Sequence, residues 1–334
     1  DLARAGATDA REHGGPLQAL LRGEKSAPAV SADLTAPAAA RVPAPTLFDR
    51  VAAVKLDRYT AALVPWLGVP GYFHIAVTGP GGAWDSYGVL GTNLGLGKDK
   101  EVALFVAKLE LALNARKVKF ADLKDLKESY NWPTDLDNPR YAKINAMKIA
   151  KHRVTLQPWS PVPGFHQLAV TGPKGAWDAY SVYGDLLASG KDRDAALFAA
   201  KLERALDEGK VSAGDIKRLQ TQHDWLEKLA SPENMRINAM SLPRYKASLA
   251  AWPAVPGHYK IMITGPSGSW ESYSLLGRDY TTEQSRAITL FVAKLEQALN
   301  TGVLTMRNIE WLRTNYEWPT DAINALNAAV PKEK

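Results

Sequence analysis

An α+β fold built from three tandem repeats is what this 334-residue sequence predicts, and three observations lead to it. The segments GAWDSY, GAWDAY and GSWESY recur, with Trp84, Trp177 and Trp270 standing 93 residues apart. Glu110, Glu203 and Glu296, inside matching helical phrases, keep the same interval. Between these landmarks a period-two alternation gives way to apolar spacings of three and four, the order expected of a small sheet followed by a helix. Each repeat is expected to hold a small three-stranded antiparallel sheet packed by an amphipathic helix plus a trailing helix, with an extended N-terminal arm in front. The boundaries are 1–50 for a low-complexity arm, then 51–143, 144–236 and 237–334 for the three repeats.

The arm is rich in Ala, Pro, Arg and Gly, with one short apolar patch at Leu17 to Leu21. A segment so poor in large apolar residues cannot offset its own ordering entropy, so partners are expected to order it. The chain opens on Asp1, as a leader removed on import into an organelle would leave it, and so would trimming; the expected location is mitochondrial.

Each repeat opens with a short strand, over Tyr59 to Trp66, His152 to Trp159 and Tyr245 to Trp252, and a Val-Pro-Gly turn at Val69, Val162 and Val255 reverses it. In the second strand Phe73, Ile75 and Val77 share one face, the core side, and His74, Gln167 and Lys260 hold one matching position on the opposite, polar face. Thr-Gly-Pro at Thr78, Thr171 and Thr264, with Gly two residues beyond the Pro, turns the chain into a third strand carrying the repeated Trp. In the helix that follows, Val102, Phe105, Val106, Leu109 and Leu113 form a stripe, and Ala103, Ala107 and Ala112 keep it slim enough to lie close on a sheet. Phe198 and Leu202, then Phe291 and Leu295, continue the same stripe, so the repeat cores are assigned to Trp84, Phe105, Leu109, Trp177, Phe198, Leu202, Trp270, Phe291 and Leu295. Shorter helices are expected over Phe120 to Tyr130, Ala213 to Trp225 and Met306 to Tyr316, and a linker helix at the repeated Ile-Asn-Ala-Met of Ile144 and Ile237.

Composition narrows the function. With 46% hydrophobic and 23% charged residues the chain is neither a disordered polymer nor a membrane bundle. The uncharged stretch Tyr59 to Trp84 is broken by Pro65, Pro70 and Pro80, so membrane insertion is not expected. No Cys is present, which removes disulfides, thiolate metal sites and thiol nucleophiles. Forty-one Lys plus Arg against 35 Asp plus Glu give a net charge of +6, enough to tolerate an anionic partner.

Motifs that look like chemistry fail on spacing. Gly91 to Lys98 reads GTNLGLGK, one residue too long for a phosphate loop and followed by Asp99 where a magnesium-binding hydroxyl belongs. The six His show no paired ligand spacing. Lys108, Lys201 and Lys294 each precede a repeated Glu by two residues, which puts the pair on different helical faces. No catalytic residue, metal site or cofactor is therefore expected.

The order of elements, the hairpin with its Trp, Leu90-Gly91-Thr92 before the helix and the Ala spacing from Val102 to Ala112 resemble the ethylene-response-factor or APETALA-type DNA-binding domain over about half of each repeat. Related domains occur in alveolates, and the resemblance implies recruitment as a mitochondrial ribosomal protein. The departure from the family lies in acidic Asp85, Asp178 and Glu271 beside each hairpin Trp, where the family reads the major groove with Arg and Trp. Contacts to RNA or to partners are instead assigned to Arg116, Lys117, Lys119, Lys143, Lys148, Lys151, Arg153, Arg218 and Lys260. The expected function is a non-catalytic structural subunit of a large multi-subunit organellar assembly, a mitochondrial ribosome, contacting rRNA and neighbouring proteins. The rivals are a protein-only supernumerary subunit of a respiratory or ATP synthase complex and a DNA-binding regulator.

Overall fold

Three Thr-Gly-Pro hairpins set the geometry of the sheets. Gly82, Gly175 and Gly268 close them at φ of 101, 101 and 102°, a conformation that side chains with a Cβ rarely adopt. Gly79, Gly172 and Gly265 open them beneath the rings of Tyr59, His152 and Tyr245, where an added Cβ would lie 2.2, 2.4 and 2.2 Å from the ring. The computed structural model describes residues 45–67, 71–90, 98–129, 138–158, 165–183, 191–216, 234–252, 257–266, 268–271, 275–276, 282–313 and 324.

The fold is mixed, with small antiparallel three-stranded sheets and several helices. In chain order the elements are α1 (Leu47–Ala52), β1 (Thr60–Pro65), β2 (Tyr72–Gly79), β3 (Gly82–Leu90), α2 (Asp99–Asn114), α3 (Asp122–Ser129), a 3-10 turn (Pro139–Tyr141) and α4 (Ala142–Asn145). They continue with β4 (Arg153–Pro158), β5 (Phe165–Gly172), β6 (Gly175–Tyr183), α5 (Asp192–Asp207), α6 (Met235–Asn238), β7 (Lys246–Ala251), β8 (His258–Gly265), β9 (Gly268–Glu271), β10 (Leu275–Leu276), α7 (Thr282–Asn300) and α8 (Met306–Arg313). The sheets run β1-β2-β3 and β4-β5-β6, and β8 pairs with β7 on one side and with β9 and β10 on the other. Their registers correspond: Thr60 faces Thr78, Arg153 faces Thr171 and Lys246 faces Thr264. The middle strand slips register by a bulge between His74 and Ala76, and again at Gln167 and Leu168.

Each long helix is used on two sides. The stripe Val102, Phe105, Leu109 and Leu113 of α2 joins Ile75 and Val77 in one core, while Phe198 and Leu202 of α5 join Leu168 and Val170 in a second. Phe291 and Leu295 of α7 join Ile261 and Ile263 in a third. The other side of α2 lies on β5 and β6, that of α5 on β8 and β9, and that of α7 on β2 and β3. Ala103, Ala107, Ala196 and Ala200 are the small residues that let a helix fit between two sheets.

The third core is completed from the other end of the chain. Phe48, Val51 and Ala52 of α1 are buried against α7, with the rings of Phe48 and Phe291 6.4 Å apart. Thr46 and Asp49 form a reciprocal capping box that starts this helix, and the bonds from Thr46 hold the Asp49 carboxyl below its usual range. The expected arm boundary at residue 50 falls inside this helix, whose apolar face belongs to a core. Residues 1–44, which hold most of the expected arm, lie outside the described residues, as does the part of the helix expected over Ala213 to Trp225 that follows residue 216. Among the described residues no helix is long and apolar enough to cross a membrane.

Candidate functional site

Three glutamates and three lysines of the long helices, each set spaced by 93 residues, do fixed jobs. Glu110, Glu203 and Glu296 accept the backbone N–H of Ala61, Val154 and Ala247 at 2.8, 2.9 and 2.8 Å, anchoring the free edge of the first strand in each sheet. Lys108 and Lys201 donate to the terminal carbonyls of Asn145 in α4 and Asn238 in α6, at 2.9 and 2.8 Å. Lys294 donates at 2.5 Å to Ala52, the last residue of α1, and burial lowers its pKa. A cation at a helix C-terminus meets orphan carbonyls and the negative end of the dipole, which accounts for a recurrence that a local salt bridge could not.

A second set joins the second and third sheets to the helix that follows the sheet before. Gln167 of β5 donates to Asp99 of α2 at 2.8 Å, and Lys260 of β8 pairs with Asp192 of α5. His74 of β2 stacks on Trp66 with ring centroids 6.0 Å apart, and buried Ser285 holds on α7 the position that Asp99 and Asp192 hold on their helices. The face opposite the core is expected to be polar, with Lys260 on it a contact residue; it is nevertheless buried, His74, Gln167 and Lys260 being 1, 2 and 2% exposed. Lys260 is thus corrected from contact residue to interior ion pair, because α5 covers its sheet face. Arg153 is corrected too: its guanidinium is half-buried on Glu110 and donates to the Ala61 carbonyl at 3.0 Å.

The first strands of the three sheets and the inner sides of the three helices enclose a cavity of about 810 Å³. Charged residues dominate its polar lining. Glu110 with Arg153 and Glu203 with Lys246 are ion pairs, and exposed Arg58, Lys151 and Arg244 stand around the opening, again 93 residues apart. Burial raises the Glu296 carboxyl above its usual range, reinforced by Glu110 and opposed by the Ala247 N–H and by the charges of Lys246 and Arg58. Burial also lowers the His166 imidazole to about 4, against the opposing pull of Asp192. The lining can hold charge; among the described residues no group of three or more metal-binding side chains is assembled.

Of the other assigned contact residues, Arg116, Lys117, Lys119, Lys143, Lys148 and Lys151 are exposed, and Arg218 lies outside the described residues. Arg116 follows α2 at φ 55°, where glycine stands after α5 and α7. Of the assigned core residues Phe105, Leu109, Phe198, Leu202, Phe291 and Leu295 are buried. Trp84, Trp177 and Trp270 sit on β3, β6 and β9 opposite Val77, Val170 and Ile263, and their side chains lie outside the described residues. So do the side chains of Asp85, Asp178 and Glu271, and the loop 91–97.

Sequence reasoning missed Asp99, Asp192 and the double use of each helix. A signal existed: the sheet positions Gln167 and Lys260 can both donate, and the helix positions 68 residues earlier, Asp99 and Asp192, are both acceptors. Compared with protein-family models, with curated proteins and with solved structures, the chain matches none.

Proposed function

We propose that the chain is a non-catalytic structural subunit of a large organellar assembly, a mitochondrial ribosome, built of three tandem repeats with an N-terminal arm that partners order. On this reading rRNA is held by shape and charge, and neighbouring proteins by the remaining surface. The observation that carries it is the burial of His74, Gln167 and Lys260. The sheet face with which an APETALA-type domain reads the major groove is here occupied by a helix, so groove readout by that face is unavailable. The exposed cations that remain lie on connectors and helix ends, at Arg116, Lys117 and Lys119 and at Lys143, Lys148 and Lys151. Cations so placed suit phosphate backbones, which they contact without reading sequence.

The test is retention of structured RNA by the whole chain over a salt series. Affinity is expected to fall steeply as salt rises and to be indifferent to sequence. Retention that ignores salt, or none at all, would move the assignment to a protein-only subunit; a strong preference for one duplex DNA sequence would restore the DNA-binding regulator.

A further inference from the structure

Glu110, Glu203 and Glu296 do the same backbone job, but among the described residues only the first two also make an ion pair. The guanidinium of Arg153 joins Glu110 and also reaches the Ala61 carbonyl, and the ammonium of Lys246 joins Glu203. The residue that stands for these cations opposite Glu296 is Thr60, 93 positions before Arg153, whose hydroxyl is held by Thr78 at 2.6 Å. Thr60 is too short to take the place of either. The cavity records the difference: along α2 and α5 it ends at Glu110 and Glu203, whereas along α7 it runs past Glu296 to Gln297, Asn300 and Thr301. Space that Arg153 and Lys246 fill in two places stays open in the third.

We propose that this space is a seat for an organic cation, the guanidinium or primary ammonium of a ligand, held by the Glu296 carboxylate and by the Ala247 carbonyl, the counterpart of that of Ala61. The two filled positions are the molecule's own templates for the contact. The seat lies beside the last turns of α7, whose terminal carbonyls favour positive charge. The Glu296 carboxyl is raised by burial even against the opposing charges of Lys246 and Arg58, the direction expected of a buried carboxylate that makes no direct ion pair. Arg58, exposed at the opening and close enough to act on Glu296, is the chain's own competitor. The inference does not depend on the ribosomal reading. The same chemistry could arrive as a free amine or guanidine compound or as an Arg or Lys side chain of a partner protein.

Agmatine is the probe, with thermal melting and calorimetry of the full chain as readouts and butylurea as the uncharged control. Agmatine is expected to bind and raise the melting temperature, and butylurea to do neither. Glu296→Gln keeps an acceptor for the Ala247 N–H but not the charge, and should weaken agmatine roughly tenfold or more. Thr60→Arg copies Arg153 and should raise the melting temperature by roughly 3 °C without ligand while abolishing the response to agmatine. Thr171 and Thr264 already stand opposite a cation in the other sheets, so the new Arg has precedent. No agmatine response in the native chain, a response that survives Thr60→Arg, or a loss of stability in Thr60→Arg would overturn the proposal. Displacement of agmatine by an Arg-containing peptide would support the seat with a partner side chain as occupant; binding of agmatine with exclusion of the peptide would support it with a free ligand.

Discussion

Asp192 and Lys260 meet where both side chains are almost removed from water, 6 and 2% exposed. A buried pair need not add net stability, but breaking one leaves the other charge uncompensated. Lys260→Met is expected to cost about 3–5 kcal/mol in urea unfolding. Lys260→Gln, which copies the Gln167 to Asp99 hydrogen bond, should cost clearly less. His166 gives a second residue-scale prediction. Its folded pKa, about 4, lies below the ordinary 6.5, so the unfolded chain binds the proton first. The contribution is intact above pH 6.5 and is lost as pH falls toward 4, about 3 kcal/mol in all. His166→Phe, the residue type at the matching Phe73, should flatten the pH dependence of stability in that window. Arg116, at φ 55°, is strained where Gly209 and Gly302 are not. Arg116→Gly should stabilise by roughly 1 kcal/mol in the same unfolding assay while removing one cation from the assigned RNA contacts.

At the scale of elements, α1 is the informative one. Its six residues carry no stability of their own, yet Phe48 and Val51 fill a core whose buried members outside α1 are Leu67 and residues between Ile261 and Ile309. Phe48→Ala is expected to cost about 3–5 kcal/mol, read as a fall in unfolding midpoint. Most elements were legible from residues alone: strands, hairpins and long helices follow from alternation, Thr-Gly-Pro and the Leu and Phe stripe. The start of the first helix was not, because a single apolar turn after a Pro- and Ala-rich run has no period to read. Its match to Tyr141 to Asn145 becomes visible only once Lys294 is seen bonding to Ala52 as Lys108 bonds to Asn145.

For the whole molecule, the sequence reading placed helix and sheet correctly within each 93-residue stretch and misjudged what lies on the sheet's other side. Period-two alternation identifies a polar face, and His74, Gln167 and Lys260 lie on it, but alternation does not say whether that face meets water or another element. A polar residue is equally stable inside when a matched group meets it, and Asp99 and Asp192, which meet Gln167 and Lys260, stand 68 residues earlier, beyond the reach of any local window. The cavity and its unequal glutamates were hidden for the same reason. The function proposed for the molecule makes a quantitative prediction. Replacing Lys143, Lys148 and Lys151 together by Ala should lower the slope of log affinity against log salt by roughly 1 for each RNA phosphate contact removed, with no change in preference among RNA sequences.

The central claim is that the two ends of the folded unit meet in one core, and hydrogen exchange on a chain shortened to begin at Lys55 tests it most directly. Loss of α1 is expected to strip protection first from Thr282–Asn300 and Met306–Arg313, more than two hundred residues away in sequence. Protection lost only from the neighbouring Thr60–Pro65 and Tyr72–Gly79, with the last long helix unchanged, would contradict a core that Leu47–Ala52 completes.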